Sequence, residues 1–333
     1  MEKNHPKVNY GKTGVLIINL GTPDSTNWLD IRKYLREFLS DRRVIEVNPI
    51  IWQVILNVFI LNLRPSKTAE AYKKIWMKKE NMSPLRYFTI MQAKKLSDKI
   101  NKDSIIIDYA MRYGSPSIMQ KMNSLKKSGC ENIIILPLYP QYAAATTATV
   151  CDEVYRCLMK MRWQPSLQII PHYESEPLYI NALKNSLEKK ISEINWHPDL
   201  IVASYHGIPK KYFDKGDPYH CYCQKTTRLL NERTENDIEI KTTFQSRFGP
   251  QEWLQPYTDK TLEKLPREGK KNILLICPGF SSDCVETLEE IAIQGKETFL
   301  KNGGKNFDVV PCLNDSNDHI ELLLYLINKY LIK

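Results

Sequence analysis

Seven short apolar runs punctuate the chain, and each stops at a glycine or proline turn: GVLIINLGTP (14–23), SIIIDYAMRYGSP (104–116), NIIILPLYPQY (132–142), LQIIPHY (167–173), DLIVASYHGIP (199–209), IEIKTTFQSRFGP (238–250) and NILLICPGF (272–280). Their apolar residues run consecutively rather than alternating, the pattern of strands buried on both faces of a parallel sheet. Helical spacing fills the gaps, in 27–41, 117–130 (with Gly129 as its C-terminal stop), 177–194, a helix near 224–233, 281–299 and 319–331. Strand–helix–strand units therefore occur twice. They predict an α/β protein of two similar halves, each a parallel sheet flanked by helices, meeting near 165–175. In open α/β sheets ligands sit beyond the carboxyl ends of the strands. SYHGIP then stands at the edge of a cleft, with His206 as the last residue of its strand.

One further apolar stretch breaks the pattern. PIIWQVILNVFILNLRP (49–65) carries Gln53, Asn57 and Asn62 and is shorter between its prolines than the ~20 residues a membrane-spanning helix needs. It reads as a buried helix or as an apolar lip around a pocket. The chain has 333 residues, 42% hydrophobic and 26% charged, enough for two domains. The polar amino terminus, MEKNHPKVNYGKTG, has no signal-peptide core, so a cytoplasmic protein is expected. The net charge is +9, but the lysines are scattered in pairs, with no arginine block or aromatic stripe. Nucleic acid is not an expected partner, whereas an anionic membrane surface is compatible. Eight cysteines form no Cys-x-x-Cys pair, and only HCYC (220–223, with Cys221 and Cys223) resembles a metal motif, without a second pair at zinc spacing. No glycine-rich phosphate fingerprint follows any strand.

Opposite His206 the sequence supplies acid. In SSDCVETLEEIAIQGKETF (281–299), Glu286 and Glu290 are four residues apart on one helical face, and Glu289 lies partly round from them. Asp283-x-x-Glu286 also reads as an acidic capping box, which needs no chemistry at all. A base that titrates near neutrality beside one or two carboxylates suits proton removal, or transient holding of a divalent cation. No G-x-S-x-G elbow points to a hydrolase.

The ordered set NLGTP, YKKIW…SPL, MRYGSP, LYPQYAAATT, SYHGIP, FQSRFGPQEWLQPYTD, CPGFSSDCVETLEEI and PCLND, spread over residues 14 to 330, resembles the ferrochelatases, in their bacterial protoporphyrin form. The resemblance implies two similar Rossmann-like domains, related to periplasmic binding proteins, with a porphyrin in the cleft. It implies a first domain over 12–168 with 49–65 as its lip, a second over 169–312, and a closing helix in 313–333 that packs back on the first. It implies a lyase that inserts Fe2+ into protoporphyrin IX as the terminal step of haem biosynthesis. His206 matches the active-site histidine and Glu286 its paired carboxylate, with Glu290 and Asp283 as relay acids. Leu20, Arg64, Tyr72, Ser83, Arg112, Tyr113 and Trp253 match porphyrin-side positions. Two departures stand out. Cys312 is the last cysteine, so no [2Fe–2S] cluster and no other permanently bound cofactor are expected. Gln294 stands where some relatives continue the acidic row.

The chemistry explains the residue types. Metallating a porphyrin removes two pyrrole protons, and bending the ring exposes nitrogen lone pairs otherwise held in its plane. An imidazole can accept protons near neutral pH, and carboxylates can carry them away or hold hydrated Fe2+ briefly. A thiolate cage would retain the ion. Sequence alone leaves two arrangements open: metal delivery by His206 with Glu286, or metal arriving near Arg112 and Tyr113 with His206 and Glu286 as the proton route. Two other readings are a chelatase for coproporphyrin or a cobalt-accepting corrin precursor, and a non-catalytic haem binder, which has no use for the His–Glu pair.

Overall fold

A computed structural model describes residues 9–100, 103–234 and 237–331. Most of the polar amino terminus and the last two residues of the 313–333 segment lie outside the described residues. Among the described residues, eight strands form two four-stranded sheets with the same order. The first holds β1 (Lys12–Thr22), β2 (Ile105–Gly114), β3 (Cys130–Pro137) and β4 (Ser166–Ile169), in the order β2-β1-β3-β4. The second holds β5 (Leu200–His206), β6 (Ile240–Gln245), β7 (Asn272–Ile276) and β8 (Asn306–Val309), in the order β6-β5-β7-β8. Every pairing is parallel. The continuous apolar runs are explained by this: Val15 to Ile18 and Leu200 to Ala203 are buried, with helices over both faces of each sheet. β8, NFDV, is an addition to the seven strands read from the sequence. The helix expected near 224–233 begins earlier, at Tyr219.

The two halves share one core. A continuous apolar cluster runs from Val15 and Leu136 of the first sheet through Tyr179 and Leu183 to Ile201 and Ile276 of the second. It continues into Ile320 and Leu323 of the last helix, Asn317–Leu331. That helix leaves the second sheet yet packs on helix Pro84–Lys99 of the first half, with Lys95–Asp315 (2.6 Å) and Lys99–Glu321 (2.5 Å) ion pairs along the seam. Helix Pro177–Glu193 leaves β4 and packs against helix Tyr219–Arg233 of the second half. The last helix thus crosses from the second half to the first, and the carboxyl ends of both sheets face one cavity.

Candidate active site between the two sheets

The cavity, of about 160 Å³, is lined by the turns after four strands. Asn19 and Leu20 come from the end of β1, and Leu138 to Thr146 follow β3. His206 to Pro209 come from the end of β5, and Gly279 to Glu286 follow β7. Leu20, Phe38, Val44, Leu85, Ile208, Trp253 and Phe280 make the walls largely apolar, and His206 and Glu286 enter the same space.

His206 ends β5, paired with Gln245 on β6. Its Nδ1 lies 2.6 Å from the Gly207 carbonyl, which can only accept, so Nδ1 carries the proton and the neutral ring keeps its lone pair on Nε2. The turn that follows requires glycine. A Cβ on Gly207 would lie 2.8 Å from the Gln245 carbonyl oxygen and 3.2 Å from the Trp253 ring. The Gly207 N–H instead donates to that carbonyl at 2.8 Å. Trp253 is pinned in turn, its indole N–H donating to the Phe248 carbonyl at 3.0 Å.

The acidic segment is not an ordinary α-helix. Glu286–Gly295 winds as a π-helix, bonded i to i+5, a rare form frequent at functional sites. Glu286 lines the apolar cavity, while Glu290 lines a second space of about 570 Å³ on the other side, together with Ser246, Arg247, Asp259 and Gln294. Burial raises the pKa of Glu290; hydrogen bonds from Ser246 and the proximity of His206 oppose that shift. Glu289 points elsewhere: it is buried, ion-paired to Lys74 at 2.8 Å and receives a hydrogen bond from Gln294 at 2.7 Å. Asp283 does not line the cavity. Its carboxylate accepts from the Thr287 hydroxyl (2.9 Å) and Asn314 Nδ2 (2.7 Å), anchoring the helix start to the 312–314 segment.

The porphyrin-side positions divide in two. Leu20 and Trp253 line the cavity. Tyr72 is buried in the apolar cluster beside it, and burial, with the nearby Glu286 charge adding to it, raises its pKa. Ser83 caps helix Pro84–Lys99. Arg112 and Tyr113 both engage Asp41, the arginine also donating to the Thr149 carbonyl at 2.8 Å. Arg64 stacks over Phe248, centroid 4.2 Å away. None of these five is among the lining residues.

The 49–65 segment is neither buried nor spanning. Its helical turns bury Trp52 and Leu56 and expose Ile50 (79%), Ile51, Val54, Val58, Phe59 and Leu63 (73%). The polar residues that interrupt it serve its own backbone: Asn57 donates to the Gln53 carbonyl and Asn62 to the Val58 carbonyl, both at 2.8 Å. No helix among the described residues is long and apolar enough to cross a membrane. HCYC does not converge either. Cys221 and Cys223 are two residues apart on helix Tyr219–Arg233, one exposed and the other buried. His220 stacks on Phe244, its pKa lowered by burial.

A family model described as ferrochelatase matches residues 12–331. The chain belongs to the ferrochelatase family. Ferrochelatases of Allorhizobium ampelinum, Rhizobium meliloti and Francisella tularensis subsp. holarctica are 54%, 53% and 50% identical to it. These matches cover 99%, 98% and 96% of this chain and 97%, 97% and 96% of the relatives. Among solved structures, SirB from Bacillus subtilis with Fe3+ superposes with a TM-score of 0.60 at 10% identity, over 96% of this chain and 95% of that one. The sirohydrochlorin chelatase SirB from Bacillus subtilis subspecies spizizenii in complex with cobalt gives 0.58 at 9% identity, over 96% and 94%. At that identity the likeness is one of fold: two parallel sheets flanked by helices, in the manner of chelatases.

Against that family frame, several residues of the cavity went unread in the sequence. Gln141, Tyr212 and Tyr219 line it, and Gln245 and Ser246 grip the acidic helix from behind. Tyr212 also ties the halves together at the cavity edge. Its hydroxyl accepts from the Glu46 N–H (3.0 Å) and donates to the Val44 carbonyl (3.1 Å), just before the lip. For Gln141, Tyr212 and Tyr219 the signal in the sequence is their place just beyond the carboxyl ends of β3 and β5.

Proposed function

We propose that this protein inserts Fe2+ into protoporphyrin IX, the closing step of haem synthesis. His206 is the proton acceptor and a metal-side ligand, and Glu286 the paired carboxylate. The observation that carries the reading is that one imidazole and one carboxylate enter a single, largely apolar cavity whose walls come from both halves. An apolar slot binds a flat tetrapyrrole without competing for the metal. Its own desolvation supplies the energy to bend the ring. The balance of the reaction is two pyrrole protons out for one divalent cation in. The lone pair on His206 Nε2 accepts the two protons one after the other, handing each to Glu286, which passes it to Glu290 at the border of the outer space. At about 160 Å³ the cavity is smaller than the ~300–1,000 Å³ usual for ligand sites, so its walls must yield when the ring enters. The reading uses no resident cofactor, and the exposed apolar face of the lip rests on a membrane surface from which a lipophilic ring is taken.

The test is anaerobic incubation of the purified protein with Fe2+ or Zn2+ and protoporphyrin, following loss of the free-base absorption bands. His206→Ala is expected to abolish insertion while porphyrin binding remains measurable, and Glu286→Gln to slow it by about 10²-fold. Near-wild-type turnover in His206→Ala would end the reading. Faster metallation of coproporphyrin than of protoporphyrin would reassign the substrate.

A further inference from the structure

Ser246 follows β6 with φ of +66°, in the left-handed region that only glycine, and to a lesser extent asparagine, enters without strain. The adjacent turns of this chain do use glycine where φ is positive, as at Gly249. A serine kept in such a conformation must make contacts that glycine would not. Its backbone N–H donates to Glu290 Oε1 at 2.8 Å and its hydroxyl to Oε2 at 2.5 Å, so one residue holds both oxygens of the carboxylate. The residue before it extends the grip: Gln245 Nε2 donates to the Glu286 carbonyl at 2.9 Å. The far end of Gln245 accepts from Ser204 Oγ at 2.7 Å, two residues before His206. His206, Glu286 and Glu290 are thereby referenced to one another through the end of β6.

We propose that Ser246 is a positioning residue for proton export: its strained backbone and hydroxyl clamp the Glu290 carboxylate between the apolar cavity and the outer space. This rests on the proposed metallation reading and deepens it by naming what holds the relay acid. Two geometric facts support it. The clamp fixes the carboxylate plane, because each oxygen has its own donor from the same residue. The clamp also lies on the boundary itself, since Ser246 and Glu290 both line the outer space while the Glu286 carbonyl is tied to the neighbouring Gln245. A hydroxyl in this position can also reverse, donating to the carboxylate when it is charged and accepting from it when it is protonated. The same bond therefore persists through each proton passage.

The test uses Ser246→Gly, which relieves the backbone strain and keeps the N–H donor while deleting the hydroxyl, alongside Ser246→Ala, Glu290→Gln and the Ser246→Gly/Glu290→Gln double variant. Metallation of protoporphyrin by Zn2+ is followed at steady state, with thermal unfolding as a check on folding. Ser246→Gly is expected to keep or raise the melting temperature and to leave KM for porphyrin unchanged. Its kcat should fall about tenfold, the scale of one hydrogen bond to a charged group. In the Glu290→Gln background the same substitution is expected to have no further effect on kcat. Unchanged kcat in both serine variants overturns the proposal. So does an equal, additive loss in the Glu290→Gln background, which marks a structural role. If the wild-type protein metallates no porphyrin, it is the proposed function that fails, and this is seen before any variant is compared.

Discussion

Replacing Gly207 by alanine perturbs the site through packing alone, with no change in charge or hydrogen-bonding groups. The added Cβ would lie 2.8 Å from the Gln245 carbonyl oxygen, 0.6 Å inside the 3.4 Å at which ordinary contact begins. Neither neighbour can yield cheaply. The carbonyl belongs to β6 and accepts the Gly207 N–H at 2.8 Å, and the Trp253 ring, 3.2 Å from the same Cβ, is held by its indole bond to Phe248. The turn after His206 must therefore shift by about half an ångström, taking with it the carbonyl that fixes the imidazole tautomer. Overpacking of this kind costs ~1–3 kcal/mol. A displacement of ~1 Å in a catalytic group costs ~10²-fold, so about half of that displacement predicts roughly a tenfold loss of kcat. The assay is steady-state metallation of protoporphyrin with Zn2+, paired with porphyrin binding by fluorescence and with thermal unfolding. Affinity should change little, because the apolar walls remain. A Gly207→Ala protein with kcat within twofold of wild type and an unchanged melting temperature would refute the argument from close approach.

Two further outcomes follow from features away from the reacting groups. His319 is buried on the last helix, its Nδ1 donating to the Asn314 carbonyl at 2.6 Å, and burial pushes its pKa down to about 4. Between pH ~6.5 and ~4 the unfolded chain binds a proton that the folded one refuses, so stability is full above ~6.5 and falls with pH by up to about 3 kcal/mol. Denaturant unfolding across that window should show this component in wild type and lack it in His319→Asn; parallel curves would remove His319 as the cause. Replacing Ile50 and Leu63, the most exposed apolar side chains of the lip, by serine should weaken binding to anionic lipid vesicles by about tenfold or more without changing the melting temperature. Equal partitioning of the two proteins in a flotation assay would detach the lip from any membrane role.

What could be read from the sequence follows from how each element is stabilised. Strands buried on both faces must be apolar throughout, and seven of them were legible as runs. β8 has four residues with only Phe307 and Val309 apolar, too few for any period to show. Helix Tyr219–Arg233 begins with Tyr-His-Cys-Tyr, residues of modest helix propensity, and its start is set by packing of Tyr219 and Cys223 into the core. The spacing of Glu286 and Glu290 was legible, and it separated them from Glu289, which turned to Lys74. The π winding was not, because i to i+4 neighbours stay close in either helix. Ser246 and Gln245 were invisible for a different reason: their importance lies in a backbone angle and in partners some 40 residues away. Arg64, Tyr72, Ser83, Arg112 and Tyr113 came from resemblance, and in the closed cavity their side chains serve caps, stacks and a buried ion pair.

The two halves share one strand order, and the comparison between them shows how a repeated scaffold came to hold one-sided chemistry. β1 and β5 occupy the same place in their sheets, as do β3 and β7, and the turns after all four line the cavity. The likeness extends to the helices that follow the third strands. A π-helical stretch opens after β3 at Ala144–Ala148 and after β7 at Glu286–Gly295. The contents of the paired positions differ. Where β5 ends on His206, β1 ends with Asn19, Leu20 and Gly21. Where the second π-helix carries Glu286, Glu289 and Glu290, the first reads Ala-Ala-Thr-Thr-Ala. On the proposed reading, a planar ring between these walls has a largely apolar face on one side and His206 and Glu286 on the other. Acid on both walls would place like charges across a low-dielectric gap, raising their pKa values and offering a cation two competing positions. On that reading, confining the carboxylates to the π-helix after β7 sends protons one way, past Glu290 and the strained serine that holds it.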